Sequence, residues 1–151
     1  MELRTLEDTK NFSKKISEII KAGDTIFLRG EIGVGKTTFV RFLINYLEEE
    51  EGLEKSDILS PTFNIVYDYY IGNIKILHYD LYRIKRENDI LELGIFESSK
   101  NEIKIIEWPE LIKPEPKDRI DIIFQYLKKT NSRNVKILGS GKWKDYKFNE
   151  I

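Results

Sequence analysis

The chain has no cysteine, which excludes a disulfide scaffold, a thiol nucleophile and any cysteine-ligated zinc or iron–sulfur centre. It has one histidine, His78, so a multi-histidine metal site is excluded as well. No apolar run approaches the roughly 20 residues that span a bilayer. The opening residues Met1 to Asp8 lack the apolar stretch of a secretory signal. These absences predict a soluble, cytoplasmic protein with no membrane partner. An excess of one charge is also missing: 25 basic residues face 26 acidic ones, for a formal net charge of −1. That balance excludes a protein that holds nucleic acid by bulk electrostatics alone, although a local basic patch is still allowed.

What is present is a chain of 151 residues, 40% hydrophobic and 34% charged. That length predicts one domain over 1–151, able to bury roughly 70% of the surface its unfolded chain exposes. Residues 141–151 are a candidate C-terminal tail, mostly solvated with one packed aromatic. The pattern Phe12, Ile16, Ile19, Ile20 predicts an amphipathic helix over 8–22, with Asp8 as its cap and Gly23 as its stop. Thr25–Leu28 reads as a buried strand. A second helix with Phe39, Leu43, Tyr46 and Leu47 on one face runs into Glu48–Glu51, expected to be a solvated end that frays. Strands over 62–70 and 74–81 flank Gly72-Asn73, a hairpin signal. A short helix follows over 87–93, then strands over 103–106, 121–126 and 135–138. This alternation predicts an α/β fold: a three-layer domain of the phosphate-loop NTPase kind, with a mixed sheet containing an antiparallel hairpin.

Between the first strand and the second helix lies Gly30-Glu31-Ile32-Gly33-Val34-Gly35-Lys36-Thr37-Thr38. It matches the phosphate-binding pattern in its required strand–loop–helix setting. Gly30, Gly33 and Gly35 allow backbone angles that turn successive N–H groups inward around an anion. The helix opening at Thr37 adds its unpaired N–H groups. Lys36 supplies charge to the β and γ oxygens, the Thr37 hydroxyl can ligate Mg²⁺, and Thr38 can reach the α-phosphate. The similar Gly139-Ser140-Gly141-Lys142 has Trp143 where a hydroxyl is needed and reads as a loop or turn.

Two carboxylates end apolar strands, Asp80 after Ile76–Tyr79 and Glu107 after Ile103–Ile106. Carboxylates at such strand ends sit where ligands of open α/β sheets collect. Either could complete a metal shell or orient a water. His78 fits burial by strand alternation or a general base. Arg83 fits a structural salt bridge or a catalytic cation.

Four segments in order, the loop 30–38, Ser60-Pro61-Thr62-Phe63, His78-Tyr79-Asp80-Leu81-Tyr82-Arg83 and Ile106-Glu107-Trp108-Pro109-Glu110, resemble the TsaE (YjeE) family. The resemblance covers about Leu6 to Leu138. It implies an ATPase required to make threonylcarbamoyladenosine in tRNA. On that resemblance, ATP and Mg²⁺ bind through Gly33, Val34, Gly35, Lys36, Thr37 and Thr38, with Thr37 and Glu107 touching the metal. It further implies a catalytic role for Lys36, Asp80 and Glu107, and a switch-like role for Ser60 and Thr62 near the γ-phosphate. Thr9 is implied as a nucleotide contact, and Trp108 as a residue of the site or of a partner surface. Partners implied are TsaB and TsaD, the latter transferring threonylcarbamoyl onto adenosine of tRNAs that read ANN codons, with tRNA reached through the complex. ATP hydrolysis, slow in isolation, would reset that machine. The chain departs from the family in Glu31 and Val34, both expected to point outward, and in a longer acidic segment over 48–57.

Rival readings are a small GTPase, a small-molecule kinase and a subunit that only holds nucleotide. The first needs an N-K-x-D segment, and the nearest, Glu54-Lys55-Ser56-Asp57, lacks the asparagine. The second usually needs an arginine-bearing lid, whereas Arg83, Arg86 and Arg119 are scattered.

Overall fold

The computed structural model describes residues 1–97, 99–128 and 132–148. Its first helix, α1 (Leu6–Ser17), is capped by Thr5 rather than Asp8. The Thr5 hydroxyl accepts from the Asp8 N–H at 3.0 Å, and the Asp8 carboxylate accepts from the Thr5 N–H at 2.8 Å. That reciprocal box fixes the start one turn earlier than the apolar pattern alone implies. The helix also ends earlier, at Ser17, so Gly23 belongs to the turn that delivers the next strand, where its N–H donates to the Glu102 carbonyl at 2.7 Å.

Seven strands form one sheet. In chain order they are β1 (Glu2–Leu3), β2 (Thr25–Arg29), β3 (Val66–Ile71), β4 (Ile74–Asp80), β5 (Glu102–Glu107), β6 (Arg119–Leu127) and β7 (Ser132–Ser140). Their spatial order is β1-β7-β6-β2-β5-β4-β3. The centre, β6-β2-β5-β4, is parallel, and both margins are antiparallel. The fold is therefore the expected mixed α/β arrangement, with the β3–β4 hairpin turning at Gly72, whose φ is +56°. A second antiparallel pair, β6–β7, and the two-residue β1 complete the other margin.

Strand alternation divides the core. Ile26, Leu28, Ile76, Ile103 and Ile105 face α1 and α2 (Lys36–Glu50), joining Phe12, Phe39, Leu43 and Ile44. Phe27, Tyr79 and Ile106 face the other side, covered by α3 (Glu87–Leu91) and the segments around it. Since β4 and β5 alternate with period two, His78 and Asp80 lie on the α2 side with Ile76, and Glu107 lies there with Ile103 and Ile105. Parity thus aims both strand-end carboxylates at the helix that begins with the lysine.

Three local expectations change. The segment before β3 is a turn through residues 62–64, so that strand starts at Val66. Glu48 is buried, accepting from the Ser56 N–H at 2.9 Å and the Asn45 amide at 3.0 Å. It anchors the acidic loop instead of sitting in water, whereas Glu49, Glu50 and Glu51 are exposed as expected and the helix ends at Glu50. After β7 the described residues to Phe148 are mostly exposed around one packed aromatic, as expected, but the Gly139–Lys142 segment is only partly a turn. Gly139 and Ser140 finish the strand, and Gly141–Trp143 forms a 3-10 turn. Trp143 is buried, with its indole N–H donating to Asp24 at 3.0 Å, and Tyr146 and Phe148 stack beside it. No helix among the described residues is long and apolar enough to cross a membrane.

Candidate functional site

The loop between β2 and α2 turns on three glycines with positive φ, +137° at Gly30, +73° at Gly33 and +111° at Gly35. At Gly30 the requirement is also steric, because a β-carbon would run into the Phe124 carbonyl oxygen. Gly35 is the N-terminal flank of α2 and offers no side-chain cap, so the first N–H groups of that helix stay available. Val34 does not point outward as its place in the loop implies. It is 3% exposed and packs into the core against Gly30. Its N–H donates to the Glu31 carbonyl at 3.3 Å, while the Glu31 side chain does lie in solvent.

Around this loop lies a cavity of about 240 Å³, lined by Ile32, Gly33, Gly35, Lys36, Thr37, Thr38, Ser60, Thr62, Asp80, Glu107 and Trp108. Ten of the positions read from the sequence are therefore gathered in one place. Thr9 is not among them: it is buried on α1, and its hydroxyl donates to the Thr5 carbonyl at 3.4 Å. Arg83 is not among them either. It is exposed, makes no ion pair among the described residues, and lies over the Phe63 ring at 5.3 Å. A roomier cleft of 460 Å³ at the opposite end of the sheet includes Lys104. That ammonium is already held by the Ile95 carbonyl at 2.7 Å and by the Glu97 carbonyl, so size does not choose the site.

The Lys36 ammonium donates to the Gly30 carbonyl at 2.8 Å and the Glu31 carbonyl at 3.0 Å, and lies 4.0 Å from the centre of the Trp108 ring. Burial pushes its pKa below the ordinary lysine value, while Glu107, Asp80 and Glu110 oppose that shift. Trp108 reaches this position from the end of β5 in a left-handed conformation, φ +59° and ψ +56°. Its N–H is held by the Leu28 carbonyl at 3.2 Å.

Thr37 donates its hydroxyl hydrogen to Glu107 Oε1 at 2.9 Å. The same oxygen is 2.9 Å from His78 Nε2. Asp80 stands opposite Glu107 in the β4–β5 register. Its Oδ2 accepts from Thr62 at 2.7 Å and from Ser60 at 3.4 Å, and its Oδ1 accepts the Tyr82 N–H at 3.0 Å. The segment 60–62 is thereby tied to the cavity floor through the Ser60 and Thr62 hydroxyls, and the Pro61 carbonyl accepts the Ile65 N–H at 2.5 Å.

The donor set suits a hard divalent cation. With its hydrogen engaged on Glu107, the Thr37 oxygen keeps lone pairs free, and Glu107 adds a carboxylate. Among the described residues no group of three or more His, Cys, Asp or Glu could hold an ion unaided. A cation would have to take its remaining oxygens from a ligand and from water, as Mg²⁺ does with phosphates.

The family model described as "Threonylcarbamoyl adenosine biosynthesis protein TsaE" matches residues 3–135. The chain belongs to the TsaE family. The tRNA threonylcarbamoyladenosine biosynthesis protein TsaE of Rickettsia conorii is 40% identical over 111 residues, 74% of this chain and 61% of that protein. The TsaE proteins of Aquifex aeolicus and Bacillus subtilis are each 34% identical, over 89% and 79% of this chain and 92% and 72% of their own lengths. The chain thus spans less than two thirds of the Rickettsia conorii TsaE and nearly all of the Aquifex aeolicus one. Bacillus subtilis YdiB, known from a crystal structure, shares the fold with a TM-score of 0.70 at 24% identity, over 94% of this chain and 85% of that one.

His78 is one of the residues whose part the sequence leaves open. The signal was its spacing of two from Asp80, which puts both on one face of β4. What it touches there depends on the register with β5, which no local pattern specifies.

Proposed function

We propose that this chain is a Mg²⁺-dependent ATPase that serves the threonylcarbamoyladenosine modification of tRNA together with TsaB and TsaD. The observation that carries the reading is the convergence of loop amides, Lys36, Thr37, Glu107 and Asp80 on one cavity. At about 240 Å³ that cavity falls below the roughly 300–1,000 Å³ of pockets that enclose whole ligands. It suits the phosphate chain, with base and ribose at its rim.

In the reaction, a water oxygen bonds to the γ-phosphorus as the bond to the β–γ bridging oxygen breaks, giving ADP and phosphate. Positioning and electrostatics supply nearly all the catalysis in such transfers. Lys36 leaves its two carbonyls and the Trp108 ring to neutralise the β and γ oxygens. Thr37 and Glu107 would hold the cation, which supplies further neutralisation of phosphate charge. Asp80, restrained by Thr62 and the Tyr82 N–H, is the carboxylate free to orient the water. Arg83 lies over Phe63, and among the described residues no arginine lines the cavity as a finger would. Turnover in isolation is therefore slow, and a partner that orders 60–62 accelerates it.

The guanine-specific reading is disfavoured by position as well as by sequence. Residue 56 is tied to Glu48 near the far end of α2, roughly 20 Å along the helix from the loop. The kinase reading is disfavoured because Arg86 is bound to Asp89, and Arg119 to Asp121 and Glu115. Reconstitution with TsaB, TsaD and tRNA tests the proposal. ATP hydrolysis and modified adenosine should both require this chain, and full modification without it would contradict the assignment.

A further inference from the structure

His78 is completely buried and lies on the α2 face of β4. Its Nε2 is 2.9 Å from Glu107 Oε1, the oxygen that also accepts from Thr37 at 2.9 Å. A carboxylate only accepts, so the imidazole proton is on Nε2. Its Nδ1 is buried and has no hydrogen-bond partner. A buried nitrogen left without a partner is unfavourable, and an apolar side chain would fill the same space without that penalty. What the ring provides in return is the bond to Glu107.

That bond comes from β4, while the Thr37 bond comes from α2, so one carboxylate oxygen is fixed between two elements. No protein group among the described residues bonds Oε2, and Glu107 lines the cavity. The arrangement presents one oxygen inward to the protein and leaves the other for a ligand.

We propose that His78 is a positioning residue, which through Nε2–H holds Glu107 in the orientation that serves the cation accompanying the nucleotide. This inference rests on the reading of the loop as a Mg²⁺–ATP site. Outer partners of metal-binding groups, when removed, typically lower metal affinity by 10- to 100-fold, which sets the size of the effect to look for.

The test is ATP affinity by titration calorimetry, in Mg²⁺ and in EDTA, for the full chain. His78→Leu should lose about tenfold or more of the gain that Mg²⁺ gives, with EDTA affinity unchanged. His78→Gln, which keeps an N–H at the Nε2 position, should restore the gain to within about threefold. In a Glu107→Gln background, His78→Leu should change nothing further, because the histidine acts through that carboxylate. Thermal melting of the ligand-free variants reports a merely structural role, which would lower stability and leave the Mg²⁺ gain intact. Should the leucine variant fail to fold, His78→Asn, whose shorter amide does not reach Glu107, takes its place under the same criteria. An unchanged Mg²⁺ gain, or a further loss in the Glu107→Gln background, overturns the proposal. A wild-type chain that binds ATP equally in Mg²⁺ and EDTA overturns the cation reading itself, and this inference with it.

Discussion

The Lys36 ammonium rests 4.0 Å from the centre of the Trp108 ring while donating to the carbonyls of Gly30 and Glu31. Phosphates entering the loop compete for that charge and draw it from the ring. Trp108 emission should therefore change when ATP is added. Trp108→Phe should abolish the change. Trp143→Phe should preserve it, because that indole is bound to Asp24, on a different hydrogen-bond network. A response carried by Trp143 would contradict this coupling.

The Thr37 hydroxyl donates to Glu107. Glu107→Gln keeps its size and replaces its charge. ATP affinity in Mg²⁺ should fall by at least about tenfold while affinity in EDTA stays near the wild-type value. Parallel calorimetric titrations read both.

Asp80 bonds the 60–62 segment and the Tyr82 N–H but not the loop. Asp80→Asn should bind ATP within a few-fold of the wild type. Its phosphate release in the reconstituted complex should fall by about 10²-fold or more, the scale of a lost acid–base or water-orienting group. Single-turnover phosphate release measures it.

The loop and both strand-end carboxylates were legible because each depends on local pattern: fixed spacing in one case, apolar run followed by acid in the other. Period-two alternation groups Asp80 with Ile76 and Glu107 with Ile103 and Ile105, and the β4–β5 register then sets both on the face of α2. The inward turn of Val34, the burial of Glu48 and the choice of Trp143 as the packed aromatic were not legible, since each depends on a partner elsewhere in the fold. Val34 meets Gly30 across a turn, Glu48 meets the returning acidic loop, and Trp143 meets Asp24, 119 residues away in sequence. The short β1 has the same cause: two residues show no periodicity, and Glu2–Leu3 becomes a strand only by pairing with Asn134 and Arg133.

Tyr79 offers a pH-dependent check on the other face of the sheet. Burial pushes its hydroxyl up to about 12 from an ordinary value of 10, and it donates to the Leu93 carbonyl at 3.2 Å. The folded state thus keeps a proton that the unfolded chain loses. This contribution is fully present below pH 10 and is lost as pH rises toward 12. Urea unfolding at pH 8 and pH 11 should show the wild type losing about 1 kcal/mol more than Tyr79→Phe over that interval. Parallel losses in the two proteins would contradict the burial of this hydroxyl.

Calorimetric titration of the wild-type chain and Lys36→Ala with ATP in Mg²⁺ tests the central claim most directly. The account predicts saturable binding of one ATP per chain, preferred over GTP, and its loss in the folded Lys36→Ala protein. No heat from a folded wild-type chain, or the same isotherm from both proteins, would contradict it.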